Sequence, residues 1–130
     1  MNPKKRVLFV CVENSNRSQM AEAFARLHGG AAVEALSAGS RPSGQINPRA
    51  VRAMAELGVD LSNHHSKSLD AITGTFDAVV TMGCGDDCPW IPAVRREDWQ
   101  LPDPRAMDEG AYRAVRDEIG RRVHALLGSL

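Results

Sequence analysis

The sequence has 130 residues, 43% of them hydrophobic, and its 16 lysine and arginine residues balance 16 aspartate and glutamate residues. This length suffices to bury a core, so we expect one domain spanning residues 1–130. A neutral chain without a basic run has no electrostatic footprint for nucleic acid or an anionic membrane, and no apolar stretch approaches the length of a bilayer span.

The first predicted element is a strand over residues 6–11, RVLFVC, a short valine-rich run typical of a strand buried on both faces. The run is too short for a secretory signal, so we expect a cytoplasmic protein whose thiols stay reduced. A helix should follow from Ser18 to about Leu27, with Met20, Phe24 and Leu27 on its buried side. The second strand covers residues 32–40.

Strands and helices continue to alternate along the rest of the chain. Asn47 and Pro48 predict the N-cap and first position of an amphipathic helix. Strands are predicted over residues 76–82 and 94–99, and the last helix covers about 111–127. This alternation is typical of parallel sheets with right-handed crossovers. We therefore expect an α/β three-layer sandwich of the flavodoxin type, with a four-stranded parallel sheet in the order 2-1-3-4.

Cys11 ends the first predicted strand, at the sheet edge where open α/β folds bind ligands. The polar loop after it leads into a helix N-terminus, whose free N–H groups and dipole attract anions. The Arg17 guanidinium would add a planar fork for a tetrahedral oxyanion, and the same positive field would favour the thiolate of Cys11. The predicted oxyanion-binding residues are Val12, Glu13, Asn14, Ser15, Asn16, Arg17 and Ser18. The alternative is a buried cysteine at a strand end followed by a surface arginine.

Several stretches match a known pattern in chain order: VLFVCVENSNRSQMAEAF, SAGS, NPRAVRAMAELGVDLSNHHSKSL, FDAVVTMGCGDDCPW, and DWQLPDP with RAVRDEIGRRV. They resemble the arsenate reductase branch of the low-molecular-weight protein tyrosine phosphatase superfamily. The resemblance covers nearly the whole chain. It implies the low-molecular-weight phosphatase fold, which is flavodoxin-like, and arsenate as substrate, with phosphate or sulfate able to occupy the same site.

The resemblance also implies roles for five residues. Cys11 would attack arsenate, Arg17 would clamp the oxyanion, and Asp103 would be the general acid. Cys84 would then attack the Cys11 sulfur and release arsenite, and Cys88 would move the disulfide to Cys84–Cys88. An external thiol reductant, thioredoxin, would reduce that disulfide, and no cofactor would be bound.

The spacing of Cys84 and Cys88 leaves alternatives open. Only three residues separate them, whereas thioredoxin-coupled relatives usually have six. On one helical turn the two Cα atoms would lie about 6 Å apart, within disulfide range. A related class of reductases uses mycothiol or glutathione with a glutaredoxin-like partner. The pair could also be half of a zinc site, although we expect no metal, or two buried small side chains.

Two other functions remain alternatives. The same loop would serve a low-molecular-weight phosphatase, but no aromatic residue follows Asp103 and Pro104 to stack on an aryl substrate; the next residue is Arg105. A non-catalytic oxyanion sensor would tolerate Cys11→Ser, whereas a thiol enzyme would not. We expect a monomer.

The chain departs from its relatives within the loop. Glu13 stands where many have glycine, and Asn16 where many have cysteine. We expect Asn14 to adopt left-handed backbone angles and Glu13 to point away from the anion.

Some of these reductases bind potassium through residues that match Asn14, Glu22, Ser37 and the position of Lys67. Their last ligand is acidic, whereas this chain has a lysine. We expect the Lys67 ammonium to take the place of the cation and pair with Glu22, so that the protein needs no potassium. The alternative is a solvent-exposed lysine.

Overall fold

The computed structural model describes residues 4–83 and 90–130. Its strands are β1 (Lys5–Cys11), β2 (Val33–Gly39), β3 (Phe76–Thr81) and β4 (Ala93–Asp98). Its helices are α1 (Arg17–Gly29), α2 (Pro48–Ala55) and α3 (Glu109–Gly128), with single 3-10 turns at Gly30–Ala32 and Leu69–Ala71. Each predicted strand and helix is present, and no boundary differs from its prediction by more than three residues.

Capping side chains fix two of these boundaries. The predicted N-cap of α2 is confirmed, because the Asn47 side chain accepts a hydrogen bond from the Arg49 N–H and Pro48 opens the helix. Helix α3 begins two residues before its predicted start, because Asp108 caps it by accepting from the Ala111 N–H. Neither α3 nor the shorter helices in the described ranges combine the length and apolarity needed to cross a membrane.

The four strands form one parallel sheet in the order β2-β1-β3-β4, as predicted. Strand β1 is therefore central, with Cys11 opposite Gly39 of β2 and Val10 opposite Thr81 of β3. The carboxyl ends of the strands share one edge, and the functional side chains collect there.

Strand β1 divides the apolar core, because its side chains alternate between the two faces of the sheet. Val7 and Phe9 pack in the larger cluster, which includes residues of all three helices. Leu8 and Val10 pack in a smaller cluster with residues of the 69–72 turn. The prediction for Leu27 was wrong: it is 57% exposed and lines a shallow surface groove beside the chain that follows α2.

Candidate active site

Cys11 lies in a pocket of about 460 Å³ at the carboxyl end of β1. Only 3% of this residue is exposed. The pocket is lined by Cys11, Val12, Glu13, Ser15, Asn16, Arg17, Arg41, Asp103 and Arg105. The loop after β1 therefore meets the segment after β2 and the loop before α3, as expected for the ligand edge of a parallel sheet.

The backbone of the segment after β2 holds the cysteine loop. The N–H groups of Ser40, Arg41, Ser43 and Asn47 donate to the carbonyl oxygens of Cys11, Val12, Glu13 and Ser15, respectively. Because these carbonyls are bound on one side, the loop N–H groups remain for an anion on the other. No hydrogen bond between backbone groups of the described residues uses the N–H of residues 12–17.

Gly39 permits the close approach of these two segments. A β-carbon at this position would lie 2.4 Å from the Val12 carbonyl oxygen and 3.0 Å from the Asn14 nitrogen. Any larger residue would push the loop away from β2.

Asn14 shapes the loop, as the sequence predicted. Its φ of 52° is left-handed, and no other non-glycine residue in the described ranges has a positive φ. Its side-chain oxygen accepts from the Lys67 backbone N–H at 2.9 Å and from Gln19 Nε2 at 2.9 Å. Its amide nitrogen donates to Ser18 Oγ at 2.8 Å. The strained residue is therefore held by both ends of its side chain.

Ser18 connects Asn14 to the thiol. Its Oγ lies 2.8 Å from Cys11 Sγ. The Cys11 thiolate has no hydrogen to donate, so in that form the Ser18 hydroxyl is the donor of this bond. A donor to sulfur stabilises the thiolate that acts as a nucleophile.

Arg17 is the first residue of α1 and lines the same pocket. Its Nη1 donates to the carbonyl oxygens of Met82 at 2.7 Å and Leu101 at 2.8 Å. These bonds fix one corner of the guanidinium against β3 and the loop after β4. Within the described residues, its Nε–Nη2 edge remains available for two oxygens of an oxyanion.

Asp103 reaches the pocket from the loop before α3, where Arg105 holds it. The Asp103 carboxylate accepts from the Arg105 N–H at 3.1 Å and lies 3.2 Å from Arg105 Nε. The other end of this guanidinium lies 3.4 Å from the carboxylate of Glu13. Glu13 is therefore paired with Arg105, and its side chain is 44% exposed.

Arg49 of α2 anchors the Asp103 loop from behind. It donates to the carbonyl oxygen of Arg105 at 2.9 Å, and its guanidinium stacks 4.6 Å above the Tyr112 ring. The Tyr112 hydroxyl donates to Asn16 Oδ1 at 2.7 Å. Burial raises the pKa of Tyr112 to about 12, so this hydroxyl keeps its proton at physiological pH.

A buried carboxylate lies behind the loop. The Glu22 side chain is 2% exposed and accepts from Ser37 Oγ at 2.7 Å. It is surrounded by Arg26 Nη2 at 2.9 Å, His64 Nδ1 at 3.2 Å and Lys67 Nζ at 3.5 Å. The expected Lys67–Glu22 ion pair is present, and Lys67 Nζ also donates to the His65 carbonyl oxygen at 3.0 Å.

His64 joins this cluster to the loop, because its Nδ1 also lies 3.0 Å from Gln19 Oε1. Both neighbours of Nδ1 are acceptors, so a neutral His64 carries its proton there. Burial lowers the pKa of His64 below its ordinary value of 6.5, and the Glu22 carboxylate opposes this shift. Arg26 and Lys67 already neutralise Glu22, and His64 is therefore favoured in its neutral form.

The structure thus brings together nearly all the predicted site residues that it describes. Cys84 and Cys88, the predicted resolving cysteines, lie outside the described residues. Across residues 4–83 and 90–130, no group of three or more His, Cys, Asp or Glu side chains could hold a metal ion.

The sequence analysis missed several residues of the site: Gly39, Arg41, Arg49, His64, Arg105 as an ion-pair partner, and Tyr112. The glycine at the end of β2, opposite Cys11, was the one available signal, because a strand-end glycine often marks close backbone approach. Arg49 and Tyr112 had no such signal, because their contacts depend on how α2 and α3 pack.

Comparison with known proteins places this geometry in a family. The family model for low molecular weight phosphotyrosine protein phosphatase matches residues 6–130. An arsenate reductase from Brevibacillus brevis is 42% identical over 127 residues, which are 95% of this chain and 94% of that protein. A glutaredoxin arsenate reductase from Synechocystis is 36% identical over 130 residues, 97% of this chain and 98% of that protein.

Solved structures agree with this assignment. An arsenate reductase in its phosphate-binding state superposes with a TM-score of 0.89 at 36% identity, covering 96% of this chain and 98% of that one. A thioredoxin-dependent arsenate reductase from Corynebacterium glutamicum superposes with a TM-score of 0.82 at 38% identity, covering 98% of this chain and 62% of that one.

Proposed function

The chain belongs to the low molecular weight phosphotyrosine protein phosphatase family, and we propose that it is an arsenate reductase, which reduces arsenate to arsenite. The observation that carries this proposal is that Cys11, Arg17 and Asp103 line the same pocket. The similar arsenate reductases and the two further cysteines of this chain support reduction as its outcome.

In the first step, arsenate binds against the N–H groups of the loop and the open edge of Arg17. The Cys11 thiolate, hydrogen-bonded by Ser18, attacks the arsenic atom and forms a sulfur–arsenic bond. One oxygen leaves, and Asp103 supplies the proton that lets it depart as water. The product is a Cys11–arsenate adduct in which arsenic is still pentavalent.

The second step transfers two electrons. The Cys84 thiolate attacks the Cys11 sulfur, and the sulfur–arsenic bond breaks with its electron pair passing to arsenic. Arsenite leaves, and the two cysteines are oxidised to a disulfide. Cys88 then attacks the Cys84 sulfur, frees the Cys11 thiolate, and leaves a Cys84–Cys88 disulfide. The relay begins from three thiols, so we place it in a reducing compartment such as the cytoplasm.

We propose thioredoxin as the reductant of this final disulfide. A structural neighbour is named as thioredoxin-dependent, and an internal Cys84–Cys88 disulfide is a suitable substrate for a dithiol protein. The similarity to a glutaredoxin arsenate reductase favours a second candidate, in which a small thiol such as glutathione or mycothiol resolves the adduct.

A phosphatase is the second candidate function, because the same pocket would form and hydrolyse a cysteinyl phosphate. The family match supports it as directly as it supports the first step of arsenate reduction. The two functions share the attack by Cys11 and differ only in how the resulting adduct is resolved. The test must therefore examine the electron-transfer step.

The test is a single turnover of the pre-reduced protein with excess arsenate and no external thiol, followed by mass-spectrometric mapping of the cysteines. We expect about one arsenite per chain and a Cys84–Cys88 disulfide. Cys88→Ser should still release arsenite but stop at Cys11–Cys84, whereas Cys84→Ser should release none.

Other results would redirect the proposal. Arsenite that forms only after glutathione or mycothiol is added would replace the internal relay with a small-thiol reductase. No arsenite with any donor, together with rapid phosphoester hydrolysis, would overturn arsenate reduction in favour of the phosphatase.

A further inference from the structure

Two loops that line the pocket are joined by one side chain, that of Arg105. Arg105 belongs to the loop that carries Asp103, yet its guanidinium also pairs with Glu13 on the cysteine loop, at 3.4 Å. Glu13 and Arg105 are 92 residues apart in the chain. The ion pair therefore joins two separate loops that both line the pocket.

The two ends of this bridge are held differently. On its own loop, Arg105 contacts Asp103 through both its backbone N–H and its Nε, at 3.1 and 3.2 Å. Its carbonyl oxygen also accepts from Arg49 at 2.9 Å. On the far loop it has the single contact with Glu13, and both side chains are more than two-fifths exposed. The bridge is thus anchored firmly at one end, and its far contact is the weaker one.

Most of the residues that line the pocket are charged. Five of its nine lining residues are charged, and among these described residues none is aromatic. An ester substituent would have to displace the Arg105–Glu13 ion pair or cover it. Covering the pair removes charged groups from water, and no aromatic residue among those lining the pocket offers a contact that would offset this cost. A tetrahedral oxyanion without a substituent can bind to the loop N–H groups and leave the ion pair in place.

We infer that Arg105, through its bridge to Glu13, restricts the pocket to unesterified inorganic oxyanions and is the residue that sets substrate class. This inference rests on the proposed function, because it concerns the selectivity of the same pocket. The Arg105 guanidinium also offsets the negative charge of Glu13, which would otherwise repel an entering dianion.

The experiment compares the dissociation constants of inorganic phosphate and phenylphosphonate, measured by calorimetry on the pre-reduced full chain. The two ligands have the same tetrahedral head and similar charge at neutral pH, and neither is turned over. We expect the wild-type protein to bind phosphate at least about tenfold more tightly than phenylphosphonate. Arg105→Ala should reduce this ratio about tenfold, mainly through tighter phenylphosphonate binding.

Two further variants separate the bridge from charge alone. Glu13→Gln keeps the guanidinium and the size of residue 13 but removes the ion pair, so it should lower the ratio in the same direction. Arg121→Ala removes an exposed, ion-paired arginine of α3 far along the chain from the pocket residues, and should leave the ratio unchanged. A wild-type ratio near one, an unchanged ratio in Arg105→Ala, or an unchanged ratio in Glu13→Gln would overturn the inference.

Arsenite release by the same preparations distinguishes this inference from the proposed function. If the wild-type protein releases no arsenite but the ratio shifts as expected, arsenate reduction fails and the selectivity of the pocket stands. If arsenite is released and the ratio does not shift, only the role of Arg105 fails.

Discussion

The Ser18 hydroxyl is within hydrogen-bond distance of two residues: the nucleophile Cys11, and Asn14, which shapes the loop. Asn14 donates to this oxygen, and the hydroxyl hydrogen is the donor to Cys11 when the sulfur is a thiolate. Hydrogen bonds to charged groups contribute about 1.5–3 kcal/mol. Ser18→Ala should therefore slow arsenite release at neutral pH by roughly tenfold or more.

Alkylation by iodoacetamide provides a direct measurement of the Ser18 effect. The rate at which iodoacetamide alkylates Cys11 at neutral pH should fall in Ser18→Ala, because the thiolate loses its donor. Ser62→Ala, which removes an exposed serine bonded only to Asp60, is the matched control. An unchanged alkylation rate would show that Ser18 does not stabilise the thiolate.

Lys67 gives a second prediction for a single residue. Its ammonium lies beside Glu22 and Ser37, as expected if it takes the place of a bound cation. We expect the melting temperature of the wild-type protein to be the same in potassium and sodium chloride of equal ionic strength. Lys67→Asp should create a potassium-dependent rise, because it replaces the internal cation with a second carboxylate.

The control for this experiment is Lys5→Asp, which changes an exposed lysine next to Asp77 by the same charge. It should show no difference between the two salts. A potassium-dependent stabilisation of the wild-type protein would contradict the role given to Lys67.

At the scale of secondary-structure elements, the end of β2 supports the cysteine loop. A methyl group at Gly39 would overlap the Val12 carbonyl oxygen at 2.4 Å, and rigid backbone surrounds it. Gly39→Ala should therefore lower the free energy of unfolding by about 1–3 kcal/mol. At temperatures where the variant is fully folded, its rate of arsenite release should still fall by roughly tenfold or more.

Gly128→Ala is the control for Gly39, since a β-carbon at the end of α3 meets nothing within 4 Å. Arsenite release and urea unfolding measure the two effects. Equal activity of folded Gly39→Ala and wild-type protein would mean that the loop tolerates displacement from β2.

At the scale of the whole molecule, His64 links stability to pH. Its pKa is lowered in the folded protein, so the unfolded chain takes up this proton at higher pH than the native state does. The free energy of unfolding should therefore fall as pH drops below about 6.5. The charged neighbours are Glu22, which favours the protonated ring, and Arg26, Lys67 and His65, which oppose it.

Urea unfolding at pH 7.5 and 5.5 tests the contribution of His64. The loss of stability across this range should be smaller in His64→Gln, which keeps a donor for Glu22 but cannot titrate. The exposed His124 provides the control variant His124→Gln, whose pH dependence should match the wild type. A variant that loses as much stability as the wild type would rule out His64 as the titrating group.

The sheet and the cysteine loop were predictable because their signals are local. An apolar strand, a polar loop and a helix start lie within a few residues of Cys11, and alternating elements determine a parallel sheet. The Lys67–Glu22 pair was predictable only through the resemblance. The bridge from Arg105 to Glu13 was not, because its two residues meet through loop positions that neither helical nor strand periodicity encodes.

The hydrogen bonds that complete the pocket join residues far apart in the sequence, so the pocket cannot be complete until most of the chain has been synthesised. Arg17 is fixed by Leu101, 84 residues later, and Asn16 by Tyr112, 96 residues later. At typical rates of translation, about 5–20 s separate the synthesis of Asn16 from that of Tyr112. A nascent chain on the ribosome therefore displays Cys11 well before the pocket is complete. A chain that stops short of Leu101 carries the thiol and Ser18, but it lacks one of the carbonyl groups that hold the Arg17 guanidinium in place.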